Sequence, residues 1–197
     1  MRAAMIALSL VVASPALAQG KPDPAAVTAG TYNIDSAHSQ VLFTVLHIGF
    51  SEYTGQFTNP TGTLTIDPKN PAAAKVDVTF PIDKVSTTVA KLDEHLKSKD
   101  FFDAATFPTG HFVSTKVDVS GTTATITGDL TLKGVTKPIT LKARFVGAGA
   151  GMGPAKKTNV GFAAAGKIKR SDFGISFGVP MVSDEVALTI NAAFAAQ

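Results

Sequence analysis

From Val41 to Phe194, apolar side chains recur at every second position in one segment after another. The set runs Val41, Phe43 and Val45; Val76, Val78, Phe80 and Ile82; Val113, Val117 and Val119; Ala124, Ile126, Leu130 and Leu132. It continues with Ile139, Leu141, Ala143 and Phe145; Val160, Phe162, Ala164 and Ile168; Val186, Leu188, Ile190 and Phe194. Thr, Lys, Asp and Asn fill the places between, which predicts strands with one apolar and one polar face, paired antiparallel. Turn chemistry separates them at Asp67-Pro68-Lys69-Asn70, Ser120-Gly121, Lys133-Gly134 and the stretch from Gly147 to Pro154. The reading is an all-β chain of seven or eight strands. Val89 to Ser98 breaks the pattern: Val89, Leu92 and Leu96 stand at helical spacing, with Asp93 and Lys97 four apart, which predicts one short amphipathic helix. Phe101, Phe102 and Phe107 follow it as an aromatic cluster. One helix cannot cover such a sheet, so the strands must close into a barrel or fold over as a sandwich.

The inward face includes Ala124, Gly128, Ala143, Ala164 and Gly166, and the chain has no Trp to fill a wide interior. An eight-stranded barrel lined in this way holds space for one small ligand, and strands of about ten residues tilted by about 40° give a lumen roughly 25 Å long. A packed core of Val, Ile and Phe, eased by the small residues, fits the same periodicity.

The N-terminus carries Arg2, an apolar run from Ala3 to Ala13, Pro15 and the triplet Ala16-Leu17-Ala18. This order predicts a secretory signal peptide over residues 1–18, cleaved after Ala18, with no transmembrane segment left in the mature chain. Residues 19–30 read as a linker and residues 31–197 as a single domain. There is no cysteine, so disulfides, thiol nucleophiles and Cys-ligated metals are excluded, and the domain must be held by burial. Net charge is only +3, with the basic residues scattered, so nucleic acid is not an expected partner.

Few residues suggest chemistry. Gly174-Ile175-Ser176-Phe177-Gly178 matches a nucleophile elbow, but no His follows His111 and no strand-to-helix context surrounds it, so the glycines are assigned to a turn. Gly151 to Thr158 lacks the Gly that a phosphate loop places before its Lys. His38 and His47 are nine apart and His95 has no partner four residues on, which gives no metal site. His47 shares the parity of Val41, Phe43 and Val45 and is expected to face inward, as a rim histidine or as a donor to a ligand's polar end. Arg170 closes a basic run with Lys167 and Lys169; at a barrel mouth its planar fork would suit a phosphate or another oxygen-rich head group.

Taken in order, several short motifs resemble the YceI-like family of secreted, lipocalin-like proteins that bind polyisoprenoids or other long-chain amphiphiles. They are Tyr32-Asn33-Ile34-Asp35 with His38-Ser39; Phe43-Thr44-Val45 leading to His47; Gly55-Gln56-Phe57; and Asp93-Glu94-His95-Leu96. Further along stand Phe101-Phe102-Asp103 ahead of Phe107-Pro108, Gly128-Asp129-Leu130-Thr131, Gly134-Val135-Thr136-Lys137-Pro138 and Arg170-Ser171-Asp172-Phe173-Gly174. The resemblance spans Thr31 to Phe194. It implies an extended antiparallel lipocalin-like β-barrel of about eight strands, an apolar lumen, no catalytic step, no cofactor or metal, and periplasmic residence. The expected partner is a long-chain isoprenoid or fatty amphiphile, carried or stored, and a homodimer is compatible with the reading. The residues expected around the ligand are Phe43, Val45, His47, Phe57, Val78, Phe80, Leu96, Phe101, Phe102, Ile126, Ala143, Phe145, Phe162, Ala164, Arg170 and Phe173. Two alternatives stay open here: an enzyme acting on a lipid-like substrate with His47 as base, and a filled barrel serving as an interaction or structural protein.

Overall fold

The structure, a computed structural model, describes residues 20–152 and 155–197. The expected signal peptide and its cleavage point lie outside the described residues. Among the described residues, eleven strands form one antiparallel sheet: β1 (Gly30–Ile34), β2 (Gln40–His47), β3 (Ser51–Phe57), β4 (Thr61–Ile66), β5 (Lys75–Pro81), β6 (Val85–Ser86), β7 (Thr109–Ser120), β8 (Thr123–Leu132), β9 (Val135–Ala150), β10 (Thr158–Lys169) and β11 (Glu185–Ala196). β1 pairs with β4 on one edge and β11 on the other, which closes the sheet into a ring of eight: β1, β4, β5, β7, β8, β9, β10 and β11.

The three extra strands extend existing ones. β11 pairs with β1 through residues 194–196 and with β2 through residues 187–191, so β1 and β2 lie end to end along a single neighbour. β3 continues β4 in the same way beside β2, and β6 continues β5 beside β3. The eleven strands are therefore eight long ones, three of them broken, the upper of the seven or eight the alternation predicts. Each break has a local cause. Asp35 accepts a hydrogen bond from the Ala37 N–H and turns the chain into a 3-10 segment at Ser36–His38, while buried Pro60 and half-buried Pro81 bring no backbone N–H to the ladder.

Two bulges change which residues face inward. Thr115 is the extra residue between β7 and β8, so the inward set passes from Gly110 and Phe112 to Val117 and Val119. The strict alternation places Val113 inward; the structure puts Phe112 there, because a bulge shifts parity by one. On β9 the register shift falls at Val146, which is left 47% exposed, and Ala148 rather than residue 147 turns inward.

Cross-strand glycines make room for large rings. Phe43 lies opposite Gly55 and Phe80 opposite Gly110, and a Cβ at either glycine would fall inside the facing ring. Any larger residue would push those rings into the lumen.

The apolar packing is divided. One core, toward the end where β2 finishes and β11 begins, gathers Phe57, Phe80, Ile82, Leu96, Phe112, Leu130 and Phe173. The other, toward the opposite end, gathers Val27, Tyr32, Leu64, Ala148, Val160 and Phe194. The segment read as a linker takes part in the second: Lys21 bridges to Ala148, Val27 is buried, and the Tyr32 hydroxyl donates to the Thr28 carbonyl.

The predicted helix is α1 (Ala90–Lys97), with Leu96 buried and Leu92 half-buried. Its charges pair differently from the expected Asp93–Lys97 contact. Lys97 bonds Glu94, whereas Asp93 turns back and accepts both the N–H and the hydroxyl of Thr87, each at 2.6 Å. With β6 only two residues long, α1 and the aromatic stretch after it cover that flank of the barrel.

Candidate functional site

A cavity of about 900 Å³ runs along the barrel axis between the two cores, within the size range of small-molecule sites. Its walls are almost entirely apolar. The register explains its shape. Ala124 on β8, Ala143 on β9 and Ala164 on β10 are direct cross-strand neighbours and form one low row. The row continues through Ile190 on β11, Val41 on β2 and Phe57 on β3, so the bulk lies on the facing wall. Small residues on one side and large on the other leave the lumen open, although its apolar face is continuous. Rings mark both depths: Phe57 lies 5.4 Å from Phe43, 5.0 Å from Phe80 and 5.3 Å from Phe102, while Phe162 lies 5.7 Å from Phe145.

Fifteen of the sixteen residues expected around a ligand line this cavity, from Phe43 through Arg170. Phe173 does not. It is 1% exposed and packed into the core beside Ile175, and its neighbourhood on the outer face belongs to a shallow polar depression instead. Alternation says only that a residue is apolar; it does not separate a wall that faces space from one that faces another side chain.

At the end where β2 finishes, the cavity reaches the surface through a mouth. Exposed His47 and half-buried Tyr53 stand there with their rings 6.5 Å apart, the Tyr53 hydroxyl lies 3.5 Å from the Thr87 carbonyl, and Thr87 and His95 also line the cavity. His95 on α1 meets Phe101 at 5.0 Å and Phe177 at 5.3 Å, and Phe101 and Phe177 are themselves 5.3 Å apart, which joins the helix to the loop between β10 and β11. Nothing in the sequence marks Tyr53 or Phe177 as residues of the mouth. Tyr53 becomes visible only when β3 is set in register with β2, opposite Val45, and Phe177 lies in the glycine-bracketed stretch assigned to a turn.

Arg170 is at the mouth but its fork is occupied. Nε donates to the Ser183 carbonyl at 2.9 Å, Nη1 to those of Ile175 and Phe177 at 3.0 and 2.8 Å, and Nη2 to that of Val182 at 2.9 Å. Burial lowers its pKa and the nearby Asp184 carboxylate opposes that shift; a guanidinium remains charged regardless. The side chain therefore fixes residues 174–183 as a shaped loop, and the expected open fork for a head group is replaced by a clamp on backbone carbonyls. Asp184 seals the base of the loop, its two oxygens accepting from the Ser171 hydroxyl and N–H, contacts that hold its carboxyl below the usual range. Gly174 and Gly178, both in the left-handed region near φ 72°, supply the bends the loop needs.

Comparison with known proteins agrees with this architecture. The YceI-like domain family matches residues 32–194. Protein YceI of Escherichia coli O17:K52:H18 is 45% identical over 165 residues, covering 83% of this chain and 85% of that one, and Protein YceI of Salmonella arizonae is 44% identical over the same span. Among solved structures, Burkholderia cenocepacia BcnA superposes with a TM-score of 0.72 at 25% identity, over 81% of this chain and 98% of that one. A polyisoprenoid-binding domain from Saccharophagus degradans shares the fold at 15% identity, with a TM-score of 0.64 over 84% of this chain and 98% of that one. An apolar-lumened ring of eight strands, a family match across almost the whole domain and relatives at 45% identity lead to one assignment: the chain belongs to the YceI-like family.

Proposed function

We propose that the protein is exported to the periplasm, through cleavage after Ala18, and there carries or stores a long-chain isoprenoid or fatty amphiphile without transforming it. The observation that carries this reading is the continuous apolar cavity of about 900 Å³. At ~30 Å³ for a water-sized group, such a space takes about thirty methylene-sized units. Each methylene removed from water contributes ~0.8 kcal/mol before the cost of immobilising the chain, so a long tail has a large gross driving force. The Saccharophagus degradans domain with the same fold is a polyisoprenoid binder, which supports the same ligand class.

The ligand's polar end belongs at the mouth. Tyr53 makes only a 3.5 Å contact to the Thr87 carbonyl, and among the described residues the His47 ring has no hydrogen-bond partner, so both can meet a hydroxyl or phosphate oxygen. Thr87 and His95 are already engaged by Asp93 and Asp100. The tail then runs past Phe43, Phe57 and Ile126 toward Phe145 and Phe162. Shape and length sort ligands in such a tube. The test is organic extraction of protein purified from its own host, followed by lipid mass spectrometry. A stoichiometric long-chain lipid is expected; an extract without one, from protein never exposed to detergent, overturns the carrier reading.

A further inference from the structure

The mouth carries the molecule's densest group of exposed apolar side chains among the described residues. Leu46, Ile48 and Phe50 sit on the hairpin between β2 and β3, and Phe177, Val179 and Met181 on the loop before β11; Phe50 is 88% and Met181 66% exposed. The two segments act as one unit. The Ile48 N–H donates to the Met181 carbonyl and the Ser183 N–H to that of Leu46, while Arg170 holds the loop from behind. Neither residues 41–51 nor residues 174–183 contain an Asp, Glu, Lys or Arg.

We infer that this tip docks on a phospholipid bilayer and sets the cavity mouth against it, so that ligand passes between membrane and lumen without crossing water. The inference rests on the carrier reading above. Three observations favour a bilayer over a second copy of the chain. At roughly 200 Å² per large side chain, the six residues expose about 680 Å², below the ~800 Å² that each partner of a stable dimer buries. The absence of charge matches an apolar interior, where a charged residue is strongly disfavoured. The hairpin also holds Ile48 at φ 52° beside Gly49 at φ 73°, a turn that favours Asn or Asp at the first place; a β-branched apolar residue is kept there against local preference. The patch is continuous with the lumen, since Phe177 belongs to both and half-buried Val182, next to Met181, also lines the cavity.

The experiment uses the mature protein and phosphatidylcholine vesicles, with Phe50→Asp and Met181→Asp, neither residue lining the cavity. Flotation measures vesicle association, stopped-flow fluorescence measures transfer of a prenyl-linked probe from vesicles, and direct titration of the same probe from solution measures lumen binding. Wild type is expected to float with vesicles. Each variant should lose at least tenfold in association and in transfer rate, while its direct titration is unchanged. Phe50→Ser, which removes apolar area without adding charge, should fall between. Equal flotation of wild type and variants, or none for wild type, overturns the docking surface. Dimeric wild type and monomeric Phe50→Asp by light scattering, with no flotation, would assign the patch to a second copy and also overturn it. Flotation that depends on Phe50 in a protein that takes up no probe would uphold the docking surface and defeat the carrier reading alone.

Discussion

Arg170 shows how one buried charge can be satisfied without an ion partner. Four of its donors end on carbonyls of the 174–183 loop, all at 2.8 to 3.0 Å, so the loop's backbone and the guanidinium complete each other. Removing the side chain leaves those carbonyls without their donor, and each such loss contributes about 1–3 kcal/mol where water cannot reach. Arg170→Ala is expected to destabilise by at least about 3 kcal/mol and to open the loop to proteolysis. Arg170→Lys should recover little, because an ammonium cannot reproduce a planar fork. Denaturant unfolding with mapping of cleavage sites checks both; a variant of wild-type stability would mean that the loop is held elsewhere. The sequence could not foretell this role. An Arg in a basic run signals an anion, whereas backbone carbonyls as partners leave no mark in the sequence.

At the level of elements, the loop is pinned where β10 ends and β11 begins. The Arg170 N–H donates to the Asp184 carbonyl, and the Asp184 carboxylate accepts both donors of Ser171. Those hydrogen bonds lower the folded-state pKa of Asp184 below its unfolded value, so the contribution is complete above the ordinary carboxylate pKa of ~3.9 and disappears as pH falls through the folded value. Acid should therefore loosen the mouth before the barrel. Hydrogen exchange, corrected for intrinsic rates, is expected to show falling protection in residues 174–183 between about pH 5 and about pH 2, with β8 to β10 still protected. Asp184→Asn should show reduced protection already at neutral pH and little further change in acid; a parallel loss across the barrel would count against a local mouth unit. Strands and helix were legible in the sequence because their periods are strong and long. What escaped were the single-residue events: the bulges at Thr115 and Val146, which invert parity with no change in composition, and the turn of Asp93 toward Thr87 instead of Lys97.

For the whole molecule, the decisive property is that stability and emptiness are assigned to different places. Two cores, one around Phe57 and Phe80 and one around Tyr32 and Phe194, hold the barrel at its ends, and the ladder of backbone bonds closes the ring between them. The alanine row crossing β8, β9 and β10 faces the space between the cores, so enlarging it should reduce capacity more than stability. Overpacking a filled core costs about 1–3 kcal/mol. Ala164→Phe, only half-buried and on the lumen side, is expected to stay below that range, and Ala143→Phe to come closer to it because Ala143 is 7% exposed. Both should weaken a fluorescent prenyl or fatty probe at least tenfold, since the new ring takes the volume a tail would use. Thermal melts with saturating probe give an independent check: a ligand at a hundred times its Kd stabilises the folded state by ~2.7 kcal/mol, and both variants should lose most of that shift. If the melts of the ligand-free variants drop by several kcal/mol while probe affinity is unchanged, the wall is part of the packed core and the ligand lies elsewhere.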